Sequence, residues 1–98
     1  MTMIYHITTR ADWQQQATEA TYQADSLQTE GFIHLSEAHQ VAGVLDRYYQ
    51  NVPDLMLLHV DPDKLTADLK YEPAPNNELF PHLYGPLDKV AIIEVETL

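Results

Sequence analysis

The chain has 98 residues, of which 45% are hydrophobic and 20% are charged, so we expect a single domain, 1–98, with one core. Its 15 acidic and 5 basic residues give a formal net charge of −10, which argues against general nucleic-acid binding and against attachment to anionic membranes. The absence of cysteine excludes disulfides, thiolate catalysis and cysteine-ligated metals. The first residues do not have the pattern of a signal peptide, and no apolar run approaches membrane-spanning length, so we expect a soluble cytoplasmic protein.

The first third of the chain predicts a strand, a helix and a helical turn. The alternating, β-rich segment Ile4–Thr8 predicts the first strand. Thr9 is placed to cap a helix that runs from Ala11 to about Ala20. Ser26 is placed to cap a single turn, Leu27–Glu30, which ends at the following glycine.

The middle of the chain predicts two strands around the longest helix. Phe32–Leu35 is typical of a short strand, and Ser36 is the candidate cap for a helix from about Glu37 to Gln50. Apolar residues recur in this helix at helical spacing, namely Val41, Val44, Leu45 and Tyr48. The nearly continuous apolar run Leu55–Val60 then predicts a central strand that is buried on both faces.

The last third of the chain predicts mostly strands. Asp61–Leu65 indicates a turn, Leu69–Glu72 a short strand and Pro73–Asn77 a loop. After the segment Phe80–Leu87, a final strand is predicted at Val90–Val95. This order of elements predicts an α+β fold in which two main helices pack on small mixed or antiparallel sheets.

The segment Phe80–Leu87 has the composition of a rigid binding element. Its two prolines fix two φ angles, and its single glycine permits a turn that other residues resist. His82 and Tyr84 alternate with Leu83, so their rings point the same way if the segment is extended. The segment therefore predicts either one wall of a binding site or a tightly packed corner in which Tyr84 makes a structural hydrogen bond.

Histidines supply the other candidate site residues. His6 is either an edge histidine on the solvent side of the first strand or a cleft residue that hydrogen-bonds a ligand. His34 ends a strand just before a predicted helix start, a common place for ligands, and Ser36 beside it is either a helix cap or a ligand contact. His39 and His59 are expected to be an exposed residue and a satisfied strand residue, respectively.

Several chemistries are not indicated by the motifs of the chain. The histidines form no HxH or HExxH pair, so no metal is expected, and a site built from His6, His34 and His82 would be purely tertiary. GxSxG, GxGxxG and GxxxxGK[ST] are absent, which argues against classical serine hydrolases, dinucleotide folds and P-loop enzymes. Glu72 and Glu78 are candidate carboxylates, although in so acidic a chain a solvated surface role is the more common one.

A combination of motifs in one order resembles a known family. The motifs are Ile4–His6, Trp13, Ser26–Leu27, Gly31–Ser36 with Gln40–Val41, Tyr71–Pro73 and Phe80–Leu87. Together they resemble domain-of-unknown-function family 952, small bacterial and plant proteins, over nearly the whole chain. The resemblance implies a fold like that of ADP-ribosyltransferases, which hold NAD in a cleft between two small antiparallel sheets.

The resemblance also assigns expected roles to residues. It implies that His6, His34 and His82 are the candidate catalytic residues and that Ser36, Glu72 and Tyr84 contact the ligand. No residue of this chain matches the catalytic glutamate of the transferases. The expected function is thus binding or processing of NAD, ADP-ribose or a related phosphorylated nucleotide, with NAD as substrate or ligand.

Two other functions fit the same residues. A non-catalytic module could use the acidic surface and the histidine-lined groove to bind a small molecule or a cationic or pH-sensitive protein partner, which the sequence does not identify. A metal-assisted hydrolase could use His6, His34 and His82 as ligands. All three hypotheses are weakened unless His6, His34, His82 and Tyr84 converge on one pocket.

Overall fold

Antiparallel sheets form the frame of the protein. The structure is a computed structural model and describes residues 2–98. In chain order its elements are β1 (Ile4–Thr9), α1 (Arg10–Gln15), β2 (Thr21–Tyr22), α2 (Asp25–Thr29), β3 (Ile33–His34), β4 (Ser36–Glu37), a 3-10 turn (Ala38–Gln40), α3 (Val41–Tyr48), β5 (Leu55–Val60), a 3-10 turn (Pro62–Lys64), β6 (Asp68–Pro73), β7 (Leu79–Tyr84), β8 (Leu87–Asp88), a 3-10 turn (Lys89–Ala91) and β9 (Ile92–Thr97). The α+β class is confirmed, and every pairing within residues 2–98 is antiparallel, so the sheets are not mixed.

The central sheet has the strand order β4-β1-β5-β9. Strands β1 and β5 pair along their whole length, from Ile4 opposite Val60 to Thr9 opposite Leu55. Strand β5 has neighbours on both edges and is buried on both faces, as its apolar run predicts. One face packs against α3 through Ile7 and Leu57, and the other contributes to the main core.

A second sheet, with the order β3-β7-β6, covers the other side of the main core. Ile33 and Leu83 on its inner face are fully buried against Leu58 and Val60 of the central sheet. Each such side chain contributes about 1.5–3 kcal/mol through removal of apolar surface from water. The small pair β2-β8 closes the same core with Tyr22.

The first helix is shorter than the sequence predicts. Thr9 caps it, accepting a hydrogen bond of 3.1 Å from the backbone N–H of Asp12, but the helix ends at Gln15 instead of near Ala20. The side chain of Gln16 instead bonds both backbone groups of Gln23, at 2.8 and 3.0 Å. This contact turns the chain toward β2 and competes with further helical bonds.

Two predicted serine caps are wrong. Ser26 lies inside α2, and its hydroxyl donates to the carbonyl of Phe32 at 2.8 Å. Ser36 is buried in β4, opposite Tyr5, and does not start a helix. Glu37 is instead the N-cap of the 3-10 turn Ala38–Gln40, and it forms a capping box with Gln40.

The longest helix is correspondingly shorter, because α3 covers only Val41–Tyr48 of the predicted 37–50. Val41, Val44 and Leu45 face the central sheet as predicted. The prediction that Tyr48 also faces the sheet is wrong. Tyr48 is 68% exposed, and its neighbour Tyr49 packs against the central sheet in its place.

The C-terminal elements follow the sequence prediction closely. Strand β6 extends the predicted strand, and the rigid segment forms β7, which ends before Gly85. A Cβ atom at Gly85 would lie 2.7 Å from the Cβ of Ala67, so a close approach requires glycine here. The last strand begins at Ile92, two positions later than predicted, because a 3-10 turn occupies Lys89–Ala91. No helix within residues 2–98 is long and apolar enough to cross a membrane.

Candidate functional site

A cleft with a volume of about 860 Å³ brings together most of the predicted site residues. Its walls include His6 on β1, His34 on β3, His82 on β7 and the buried Ser36. The volume falls within the range of small-molecule sites, about 300–1,000 Å³. The three histidines therefore line one cleft, whereas Tyr84, which was expected to converge with them, does not, and the roles of all four residues stay predictions.

His6 is buried and uses both of its ring nitrogens within the protein. It is 7% exposed, so the solvent-side alternative for this residue is wrong. Nδ1 lies 2.7 Å from the carbonyl oxygen of His34 and Nε2 lies 3.2 Å from the hydroxyl of Tyr22. A carbonyl can only accept, so Nδ1 carries the proton, and Nε2 of the neutral ring is the nitrogen that faces the hydroxyl of Tyr22.

This polar chain continues to the hydroxyl of Thr8, which lies 2.7 Å from that of Tyr22. Burial lowers the pKa of His6 to about 4 and raises the pKa of Tyr22 to about 12. Both groups are therefore neutral at pH 7. His6 ties β1 to β3 and forms a fixed, uncharged part of the cleft wall.

His34 and His82 are direct cross-strand partners in the antiparallel pair β3–β7. Their ring centroids lie 5.3 Å apart in an edge-to-face arrangement. Phe32 stacks on His82 at 4.1 Å with an interplanar angle of 16°, and it meets His34 edge-on at 4.9 Å. The rings form one aromatic cluster that restricts the orientation of both histidines.

The two outer histidines differ in exposure and in their partners. The side chain of His34 is 52% exposed, and its Nε2 lies 3.1 Å from Oε2 of Glu30. The side chain of His82 is only 12% exposed, and its Nδ1 lies 2.9 Å from Oε1 of Glu72. His82 is thus held between an aromatic ring and a carboxylate, whereas His34 lies at the mouth of the cleft.

Glu72 and Tyr84, which the family resemblance assigns to ligand contact, do not line the cleft. They lie beside His82. Oε1 of Glu72, which contacts Nδ1 of His82, also accepts a hydrogen bond of 2.5 Å from the hydroxyl of Tyr84. The bonds from Tyr84 and then His82 hold the pKa of Glu72 below its usual value, and the same carboxylate raises the pKa of Tyr84. Nζ of Lys70 lies 4.9 Å from the centroid of the Tyr84 ring.

Sequence reasoning missed several residues of the cleft wall. Phe32 lies inside the motif Gly31–Ser36, of which the sequence predicts only His34 and Ser36 as site residues. An aromatic ring next to a candidate histidine was the available signal. The charged residues of the wall carry no local motif, and they are Asp12, Asp25, Glu30 and Arg47.

One group of side chains outside the cleft wall has the composition of a metal site. Ligand atoms of His59, Glu94 and Glu96 lie within 4.8 Å of one another on strands β5 and β9. Nε2 of His59 already lies 2.8 Å from Oε1 of Glu96, so His59 is a satisfied strand residue, as predicted. Among residues 2–98, His6, His34 and His82 do not form such a group.

Comparisons with known proteins agree with the sequence motifs. The chain matches the family model described as "Protein of unknown function (DUF952)" over residues 7–95, and it belongs to this family. It is similar to the crystal structure of protein CC0527 from Caulobacter crescentus, with a TM-score of 0.90, 32% identity and coverage of 99% of this chain and 86% of that chain. The solution NMR structure of CC0527 gives a TM-score of 0.84 at 32% identity, covering 100% of this chain and 85% of that chain. A search of curated proteins gives no match.

Proposed function

We propose that this member of the family binds a nucleotide-like ligand of the NAD or ADP-ribose class in the histidine-lined cleft. The observation that carries the proposal is the convergence of His6, His34, Ser36 and His82 on one cavity, beside the aromatic ring of Phe32. Flat rings and ribose hydroxyls are the chemistry that such a wall recognises, through stacking and hydrogen bonds.

The position of the cleft in the fold supports the same ligand class. Its wall is drawn from β1 of the central sheet and from β3 and β7 of the outer sheet. The resemblance to ADP-ribosyltransferases implies a ligand between two small antiparallel sheets. A cleft that draws on two such sheets agrees with that expectation.

The charges of the wall favour a ligand that combines cationic and anionic parts. Three carboxylates, those of Asp12, Asp25 and Glu30, line the cleft together with Arg47. NAD carries a pyridinium ring beside its phosphates, whereas ADP-ribose carries phosphates alone. On simple electrostatic grounds we expect NAD to bind more tightly than ADP-ribose.

Thermal unfolding with and without NAD, ADP-ribose and nicotinamide tests the proposal. At 100 times the dissociation constant, a ligand stabilises the folded state by about 2.7 kcal/mol, which is a readily measured shift in Tm. We expect His34→Ala to weaken the shift. His39→Ala is the matched control, because the His39 side chain is 71% exposed and lies outside the cleft wall.

A melting temperature that saturating NAD, ADP-ribose and nicotinamide all leave unchanged would refute the proposal. The non-catalytic partner-binding hypothesis would then be the better one. It predicts pull-down of a cationic protein partner that binds through the acidic surface and the histidine-lined groove.

A further inference from the structure

We infer that His82 is a general base that activates water for cleavage of the glycosidic bond of the bound ligand, with Glu72 and Tyr84 as its positioning residues. The inference rests on the proposed function, since it requires NAD in the cleft. It goes beyond that proposal because it adds a reaction and assigns the proton transfer to one atom, Nε2 of His82.

The first argument is the tautomer of His82. Glu72 has a lowered pKa and is ionised at pH 7, so its carboxylate accepts hydrogen bonds only. Nδ1 of His82, 2.9 Å from this carboxylate, therefore carries the ring proton. In a neutral imidazole the lone pair then resides on Nε2, the nitrogen that can accept a proton.

The second argument is the accessibility of that lone pair. Nε2 of His82 has no hydrogen-bond partner within residues 2–98. Every fully buried side-chain nitrogen and oxygen in the same part of the chain does have a partner, so Nε2 is not fully buried. Since His82 lines the cleft, a water or hydroxyl in the cleft can reach this atom.

The third argument is the difference between His82 and the other two cleft histidines. His6 has both nitrogens engaged, and burial keeps it neutral. His34 is half exposed, and its Nε2 is already paired with Glu30. Of the three cleft histidines, only His82 has a partially shielded ring, a carboxylate bonded to Nδ1 and an Nε2 without a partner among residues 2–98. This arrangement holds a catalytic base in the correct tautomer.

Among the charged and titratable groups that face His82, the carboxylate of Glu72 is the one suited to stabilising the protonated ring. These groups are Glu72 and Lys70 from β6, His34 from β3 and Tyr84 from β7. Glu72 contacts the ring directly, whereas Lys70 lies over Tyr84. The carboxylate is therefore the nearest full charge, and it stabilises the imidazolium that proton transfer creates.

The reaction is a hydrolysis that needs no further reactant. Nε2 of His82 takes a proton from water, and the water oxygen forms a bond to C1′ of the ribose. The bond from C1′ to the pyridinium nitrogen breaks, and its electron pair remains on that nitrogen, so neutral nicotinamide leaves. His82 then releases its proton to solvent, and NAD plus water has become ADP-ribose, nicotinamide and a proton.

An assay of NAD cleavage, in which the release of nicotinamide is measured, directly tests the role of His82 as the base. We expect His82→Gln to lower kcat about 10²–10⁴-fold, the usual contribution of a general base, while the NAD-induced shift in Tm is retained. Glu72→Gln should lower kcat with little change in KM, and Tyr84→Phe should do so more weakly. Glu19→Gln, which removes an exposed carboxylate outside the cleft wall, is the matched control and should match the wild type.

The ¹⁵N NMR signals of the His82 ring provide a readout that a purely structural role would not move. In the wild type we expect a protonated Nδ1 and an unprotonated Nε2, and in Glu72→Gln a mixture of the two tautomers. If NAD raises Tm but is not cleaved, the inference is overturned and the proposed function stands. If NAD neither binds nor is cleaved, both fail. Unchanged kcat and tautomer in Glu72→Gln would overturn the positioning role.

Discussion

The three cleft histidines show how neighbouring groups give one residue type different properties. His6 is buried among hydroxyls and a carbonyl, so it is held neutral. His34 lies at the surface beside Glu30, and His82 lies between Phe32 and a carboxylate. Burial, exposure and a charged partner are the factors that decide whether an imidazole anchors, binds or transfers a proton.

The burial of His6 predicts an acid-sensitive fold. Its pKa is about 4 in the folded protein and 6.5 in the unfolded chain, so the unfolded chain binds more protons between these values. The contribution of the neutral His6 ring to the free energy of unfolding is fully present above about pH 6.5 and is lost as the pH falls toward 4. Below about pH 4 it does not decrease further, because both states are then protonated. The difference of about 2.5 units corresponds to a loss of about 3 kcal/mol in the free energy of unfolding.

Urea unfolding of the wild type and of His6→Gln from pH 7.5 to pH 4 measures this contribution. The variant should be less stable at pH 7.5 and should lose less stability on acidification, because it lacks the titrating ring. Should the variant not fold, NMR titration of the wild type gives the same information, with the His6 ring still neutral at pH 5. Parallel pH profiles, or a His6 signal that titrates near 6.5, would contradict the prediction.

At the level of elements, short strands position the candidate base, and their existence was partly predictable from sequence. Phe32–Leu35 was predicted as a strand, and β3 lies within it. Phe80–Leu87 was predicted to be rigid without a strand being assigned, and its first five residues belong to β7, which begins at Leu79. Their pairing, which sets His34 opposite His82, was not predictable, because register depends on contacts between residues 48 positions apart. The position of Glu72 beside His82 follows from the same register.

Local signals failed where tertiary pairing overrides them. Ser36 has the side chain of a helix cap, yet it pairs with Tyr5 in β4 because β1 offers an open edge there. A capping box was present at Glu37 and Gln40, one residue later than the serine. Propensity therefore places a helix start correctly only to within a few residues here.

Gln40 connects this helix start to β7 and should be important for stability. Its Oε1 accepts the backbone N–H of Glu37 at 2.9 Å, and its Nε2 donates to the carbonyl of Leu79 at 2.8 Å. Since Gln40 is buried, Gln40→Ala removes the buried side-chain partner of both backbone groups. We expect a loss of about 2–3 kcal/mol in the free energy of unfolding, measured by urea denaturation.

Gln50→Ala is the matched control for this change. Among the described residues 2–98, Gln50 makes one exposed side-chain bond, to Asp46 at 3.2 Å, so its loss should cost less than about 0.5 kcal/mol. A Gln40→Ala protein as stable as the Gln50→Ala protein would show that solvent replaces the lost bonds and that the connection does not stabilise β7.

For the whole molecule, the net charge of −10 constrains how an anionic ligand reaches the cleft. The three carboxylates of the cleft wall have the same sign as the rest of the surface, and Arg47 is the opposing charge among the lining residues that the structure describes. An anionic ligand of the proposed class therefore approaches the cleft against the global field.

This field predicts an unusual salt dependence of binding. Salt screens charges separated by more than about 10 Å at 0.1 M, so it weakens the long-range repulsion more than the short contacts within the cleft. From 20 mM to 300 mM NaCl we expect the affinity for ADP-ribose to increase several-fold and that for NAD to increase less, because its pyridinium offsets one negative charge. Neutral nicotinamide serves as the internal control, and its affinity should not change. Calorimetric titration at both salt concentrations measures all three, and ADP-ribose affinity that falls with salt would mean that attraction to Arg47 outweighs the acidic field.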